Sequence, residues 1–322
     1  MQRRRHLLGL ACLLSCSGAL AQSARKPARV AYVSWFAPTE SAQVIPLREG
    51  LRERGWEEGR NLQLTTHFTA GSEAHTREVL ADLVRTGVDV LVVRATNAAH
   101  LAKELAPGVP VVMLVSDPLA SGLVKSLSRP EGHLTGLSLQ GPDLAGQRLE
   151  YLRSMFPRLS SVAFLGAADD PNVPSFVQAT RDAARQIGVK LHVHLLPGIR
   201  ALDDKVFADM AAQGVQAVLV QPIFTGQHAR IVAAAMQHRI AVTSNYAVFA
   251  QSGALLALGP DDAASTRRSA YFVDRILHGA SPSDLPVEQP SRFTLALNRT
   301  TARTLGLRIP TQLLLAADKV YE

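Results

Sequence analysis

The chain has 322 residues, 47% of them hydrophobic, with 34 Lys and Arg against 27 Asp and Glu. The apolar share is ample for two packed cores, and a formal charge of +7 with interspersed signs reads as solubility rather than as a nucleic-acid patch. Its two cysteines, Cys12 and Cys16, stand together near the start, which excludes a disulfide framework, a thiolate nucleophile and a Cys-held metal from everything after them.

Met1-Gln2-Arg3-Arg4-Arg5-His6, an apolar run from Leu7 to Leu14, and Ala19-Leu20-Ala21 have the order of a secretory signal peptide over residues 1–21. The run is far short of the ~20 residues that cross a bilayer as a helix. Leu13-Leu14-Ser15-Cys16 offers a competing lipoprotein site with a lipid on Cys16, to which bulky Leu14 is poorly suited. Both readings place the protein outside the cytoplasm, and the periplasm is the expected location. Cleavage removes three arginines and lowers the charge to +4. The roughly 300 residues left exceed what one core organises, so two lobes are expected.

Arg29 to Val33 reads as a strand, Ser34 to Thr39 as a loop, and Val44, Leu47 and Leu51 as a helix stopped by Gly55. The unit repeats at Leu62 to Phe68 with a helix to Thr86, and at Val88 to Val93 with a helix from Ala98 to Leu105. Val109 to Val115 follows, then Ser116-Asp117-Pro118 and a short helix ending before Arg129. Strands apolar over their whole length belong to a parallel sheet covered by helices on both faces. After Leu134 to Leu137 and a helix from Leu144 to Phe156, the grammar restarts. Strands are expected at Val162 to Leu165, Val189 to Leu196, Ala217 to Val220, Ile240 to Thr243 and Leu255 to Leu258. Helices are expected at Ser175 to Ile187, Leu202 to Ala212, Gln227 to His238 and Asp262 to Leu277. An extended stretch from Pro282 to Pro290 precedes a last strand, Phe293 to Leu297. The fold class is therefore α/β, two doubly wound parallel-sheet lobes, with a closed eight-unit barrel as the competing arrangement.

Several stretches resemble one family: Arg48 to Trp56 with Glu58-Gly59-Arg60-Asn61, Ser116-Asp117-Pro118 through Leu127, Arg129 to Ser138, Gly259-Pro260, Tyr271 to Gly279, Asp284 to Pro290, and Thr301 to Leu307 before Ile309-Pro310. They are similar to the ABC-importer substrate-binding proteins that include tryptophan-binding members, with a type I periplasmic-binding-protein fold. The resemblance implies a first lobe of residues 28–140 plus 260–286 and a second of 141–259 plus 287–322. It implies a small solute held between lobes that hinge closed, an ABC permease in the inner membrane as partner, a monomer, no cofactor and no nucleic acid.

In open parallel sheets, ligands bind beyond the carboxyl ends of strands, where helix N-termini present free N–H groups. That rule selects Ser34, Trp35, Thr96, Asn97, Ser116 and Asp117 on the first lobe, and Asp169, Gln221, Asn245 and Tyr246 on the second, with Asp170 beside Asp169 in the same loop. Each has a plainer reading beside the functional one. Thr96 and Asn97 can be helix caps, Trp35 and Tyr246 can fill core space instead of stacking on a flat solute, and Asp117 can hold a turn instead of an amine. Asp169 and Asp170 can be solvated loop residues. Arg94 stands where the related sequences have small residues; it suits a solute carboxylate or an internal salt bridge. His192 and His194 share a strand face, with no third metal ligand near in sequence. No Gly-x-Ser-x-Gly elbow, phosphate loop or His-Glu-x-x-His helix is present, which points away from an enzyme. The alternative to import is a periplasmic sensor presenting its solute to a receptor or kinase. A repressor of similar fold would need a helix-turn-helix where this sequence has its leader.

Overall fold

The computed structural model describes residues 26–37 and 43–322. The signal peptide over residues 1–21, the alternative lipid site at Cys16, and the loop residues Pro38 and Thr39 lie outside the described residues. The first half runs β1 (Ala28–Ser34), α1 (Ile45–Arg52), β2 (Leu62–Phe68), α2 (Glu73–Thr86), β3 (Val90–Arg94), α3 (Thr96–Leu105), β4 (Val111–Val115) and β5 (Leu134–Ser138). These strands form one parallel sheet in the order β2-β1-β3-β4-β5. β3 and β4 are buried along their whole length, as their unbroken apolar runs require.

The second half begins with α4 (Ala145–Met155), β6 (Ser161–Ala167), α5 (Val173–Gln186), β7 (Lys190–Leu196), α6 (Lys205–Ala212), β8 (Ala217–Val220) and α7 (His228–Gln237). It continues with β9 (Ala241–Ser244), α8 (Ala247–Gln251), β10 (Leu256–Pro260), α9 (Asp262–Leu277), β11 (Phe293–Asn298), α10 (Arg299–Leu305), α11 (Thr311–Ala316) and β12 (Lys319–Tyr321). Its sheet has the order β12-β11-β10-β9-β8-β6-β7, parallel except where β11 runs against β10. Two open sheets replace the barrel alternative.

Local chemistry explains where several helices start and stop. The Ser72 side chain accepts from the His75 N–H at the head of α2, and Gly87 closes it in the left-handed region at φ +82°. Asp261 and Asn298 cap α9 and α10 in the same way, through the N–H groups of Ala264 and Thr301. The helix expected after Asp117 does not form among residues 117–128, which are turns. Asp117 Oδ1 accepts from the N–H groups of Leu119 and Ala120, and this fixes a tight turn ahead of Gly122 in the left-handed region. α8, α10, α11 and β12 are elements that the pattern of the sequence did not announce.

The chain passes between the sheets three times. After β5 it enters the second sheet through residues 139–142. After β10 it returns, and Ala270, Phe272, Val273 and Ile276 of α9 pack with Tyr32, Val90, Val92 and Val112 of the first sheet. The third passage leaves from residues 287 and 288, where Val287 N–H donates to Leu127 O and Glu288 N–H to Gly136 O. Ile199, from the second half, packs over Gly71 of the first, where a Cβ would come within 2.5 Å of Ile199 Cγ1 and the backbone has φ +73°. Glycine is required there on both counts.

Candidate functional site

The carboxyl ends of β1, β3 and β4 face those of β6, β8 and β9 across a small cavity. It is walled by Phe36, Arg94, Ala95, Thr96, Leu114, Val115, Ser116 and Leu139 from the first lobe and by Asp170, Pro222, Ile223 and Tyr246 from the second. Its walls leave room for little more than a single water. The lobes are closed on each other, and hydrogen bonds cross directly between them. Asn172 Nδ2 donates to Thr96 Oγ1 at 2.6 Å, Asn97 Nδ2 to Asp169 O at 3.0 Å, and Arg200 Nε to Ala70 O at 3.0 Å.

Arg94, the last residue of β3, is 2% exposed; it makes the internal salt bridge of one expected reading and also lines the cavity. Its guanidinium pairs with Asp262 and donates to Thr266 Oγ1 at 3.3 Å, both on α9. It also lies 5.7 Å from the Phe36 ring centroid and 5.8 Å from that of Tyr246, while its Nε has no hydrogen-bond partner among the described residues. Burial works against its charge, and Asp262 together with Tyr32 and Tyr246 outweighs it, holding the group above its usual range. The cation thus faces the cavity already neutralised by an internal acid.

Beside it, Ala95 takes φ +82° and ψ 150°, a conformation almost reserved for glycine, and is the N-cap residue of α3 with no side-chain cap. Thr96 and Asn97 are therefore the first two residues of the helix and not its caps. Ala95 and Thr96 both line the cavity, so the uncapped N-terminal end of α3 forms part of its wall.

On the opposite wall Asp170 is buried. Its Oδ1 accepts from Asn172 N–H at 2.8 Å and its Oδ2 from Gln221 Nε2 at 2.9 Å. Burial pushes its carboxyl up to about 7, against the lowering effect of the Asn172 hydrogen bond and with a small upward push from Asp169. Gln221 is fully engaged, since its Oε1 accepts from Ala167 N–H at 2.9 Å; it holds Asp170 and does not reach the cavity. Asp169 turns away, toward Gly198, and contributes only its carbonyl to Asn97.

The remaining expected residues divide. Ser116 and Tyr246 line the cavity. Ser34 is buried in its own turn, its Oγ accepting from Phe36 N–H at 3.2 Å, and Trp35 packs in the core while Phe36 takes the cavity wall. Asp117 holds its turn and meets Ser175 Oγ of the second lobe at 3.4 Å. Asn245 is buried and donates to Gly141 O at 3.2 Å, at the first crossing. His194, on the edge strand β7, hydrogen-bonds Gln213 at the end of α6. Phe36, Ala95, Leu114, Val115, Leu139 and Ile223 line the cavity without having been singled out; their signal was only that each lies within four residues of a strand's carboxyl end.

A family model described as ABC transporter substrate binding protein matches residues 35–321. The chain belongs to that family. That family is one of solute-binding proteins. A tyrosine-binding protein of Clostridioides difficile (strain R20291) is 21% identical over 266 residues, 81% of this chain and 75% of its own. Among solved structures, a conserved domain protein from Vibrio cholerae superposes with a TM-score of 0.86 at 26% identity, over 92% of this chain and all of its own. An ABC domain from Streptococcus pneumonia in complex with L-Trp superposes with a TM-score of 0.85 at 23% identity, over 92% and 100%. The two lobes of this substrate binding protein are thus a fold shared with solute-holding structures.

Proposed function

We propose that the protein captures a free α-amino acid between its lobes, outside the cytoplasm, and delivers it to an ABC permease. One observation carries the reading: an acid from one lobe and an uncapped helix N-terminus beside a buried arginine from the other wall the same cavity. A carboxylate suits the first N–H groups of α3 and the Nε of Arg94. An ammonium suits ionised Asp170, and the apolar side chain lies among Phe36, Leu114, Leu139, Ile223 and Tyr246. Because Asp262 already neutralises Arg94, the site favours a zwitterion over a solute with two negative charges. Relatives that bind tyrosine and tryptophan support an amino-acid solute.

The lobes, read as residues 28–140 plus 260–286 and 141–259 plus 287–322, part to admit the solute and shut on it, because the space between them as it stands takes no more than about a water. A solute that touches both walls stabilises the closed form by its differential affinity, and the permease reads that form on a single copy of the chain. The test is a thermal-shift and calorimetric screen of L-amino acids against their deamino acids and their amides. At least one amino acid should raise Tm, and losing either charged end should weaken binding about ten- to a hundredfold. Binding of the deamino acid as tightly as its parent would remove Asp170 from the site and the proposal with it.

A further inference from the structure

Arg148, on α4, is 3% exposed and has no acid among its hydrogen-bond partners. One η nitrogen donates to Leu258 O at 3.2 Å, just before the second crossing, and the other to Gly141 O at 3.4 Å, in the first. Burial pulls its guanidinium down to about 10, which leaves it charged at neutral pH. A buried cation spent on backbone carbonyls is costly unless the geometry it fixes matters.

The first crossing has the form of a pivot. Leu139 N–H is tied to Val115 O of the first lobe at 2.7 Å, Gln140 has φ +49°, and Gly141 follows. A side chain at Gly141 is barred, since its Cβ would lie 2.5 Å from Phe176 Cζ. The N–H of Gly141 points to Ser116 O of the first lobe at 3.4 Å, and its carbonyl accepts from both Arg148 and Asn245 of the second. Asn245 is the neighbour of Tyr246 in the cavity wall.

We propose that Arg148 is a positioning residue that sets the resting angle between the lobes: one planar cation ties two crossings to the second lobe, and Asn245, sharing the Gly141 carbonyl, couples that tie to the solute cavity. This rests on the reading that the lobes close by hinging. A guanidinium spans two carbonyls in fixed geometry, which an ammonium cannot do.

The test is amide hydrogen exchange by mass spectrometry or NMR on the solute-free full chain, as wild type, Arg148→Met, Arg148→Lys and Asn245→Ala. Exchange at Leu139, Gly141 and Asp261 should quicken at least tenfold in Arg148→Met. Arg148→Lys, which keeps the charge and the stem, should quicken one crossing or both and carries the test alone if the Met variant does not fold. Asn245→Ala should quicken Leu139 and Gly141 and spare Asp261. Throughout, amides of β6 and α5 should hold their wild-type rates. Crossings that exchange at wild-type rates, or a rise spread evenly over the second lobe, would overturn the proposal. Neither result touches solute-driven closure, which scattering reads separately on the wild type.

Discussion

Asp170→Asn tests the electrostatics of the cavity through stability alone, with no solute needed. In the unfolded chain this carboxyl titrates near 3.8, and in the folded protein burial pushes it up to about 7. Between those values the unfolded chain has lost a proton that the folded one keeps. Stability therefore falls as pH rises through that window, by about 1.4 kcal/mol per unit and about 4 kcal/mol in all, and then levels off. Asparagine removes this dependence. It also sets an NH₂ against a donor, because Gln221 Nε2 and Asn172 N–H both donate to the native carboxylate, and that costs about 1 kcal/mol. Urea unfolding followed by tryptophan fluorescence should show the variant about 3 kcal/mol more stable than wild type at pH 8 and within about 1 kcal/mol at pH 5. A variant less stable at both pH values would mean that the anion is stabilised in the fold, contrary to the burial argument. With an amino acid bound, the ammonium favours ionised Asp170, so affinity should rise about tenfold per pH unit toward a plateau near pH 7.

Other expectations concern parts of the site that can be moved independently. Asp262→Ala strands the buried Arg94 cation and should cost about 3–5 kcal/mol, whereas Arg94→Met leaves an acid that reaches water at 32% exposure and should cost less; the reverse order in chemical denaturation would refute the assignment of burial. Ala95→Gly should stabilise by about 1 kcal/mol, because relief of a backbone strain of about 1–3 kcal/mol exceeds glycine's entropic cost of about 0.5–1; a lowered Tm would contradict it. Gly71→Ala puts a methyl 2.5 Å from Ile199 Cγ1 and should open the lobes, seen as a larger radius of gyration that Ile199→Ala reverses. An unchanged radius would show that this contact does not limit closure.

Much of the fold was legible because fully buried strands leave an unmistakable trace. Val90 to Arg94 and Val111 to Val115 are apolar at nearly every position and buried at every one. What was not legible is short or held from outside. α8 has five residues, too few to repeat a helical period, and is fixed by neighbours such as Asn298, whose Nδ2 donates to Ala250 O at 3.0 Å. Of the residues that the strand-end rule named, Thr96, Ser116 and Tyr246 line the cavity, as does Arg94, named beside them. The rule named Trp35 and Asp169 where their neighbours Phe36 and Asp170 line it, because one step of backbone direction decides which side chain turns inward. The Asp117 carboxylate satisfies its own turn, a local competition that a sequence shows only as a residue type favoured in both roles.

If the two lobes shut on an amino acid, small-angle X-ray scattering of the protein, with and without the amino acid that most raises its Tm, reads the closure as a change in size. The expected result is a larger radius of gyration without solute and a smaller one at saturation, with the lobes no closer than they stand here. Identical curves in both conditions, with the amino acid shown by calorimetry to be bound, would contradict the claim.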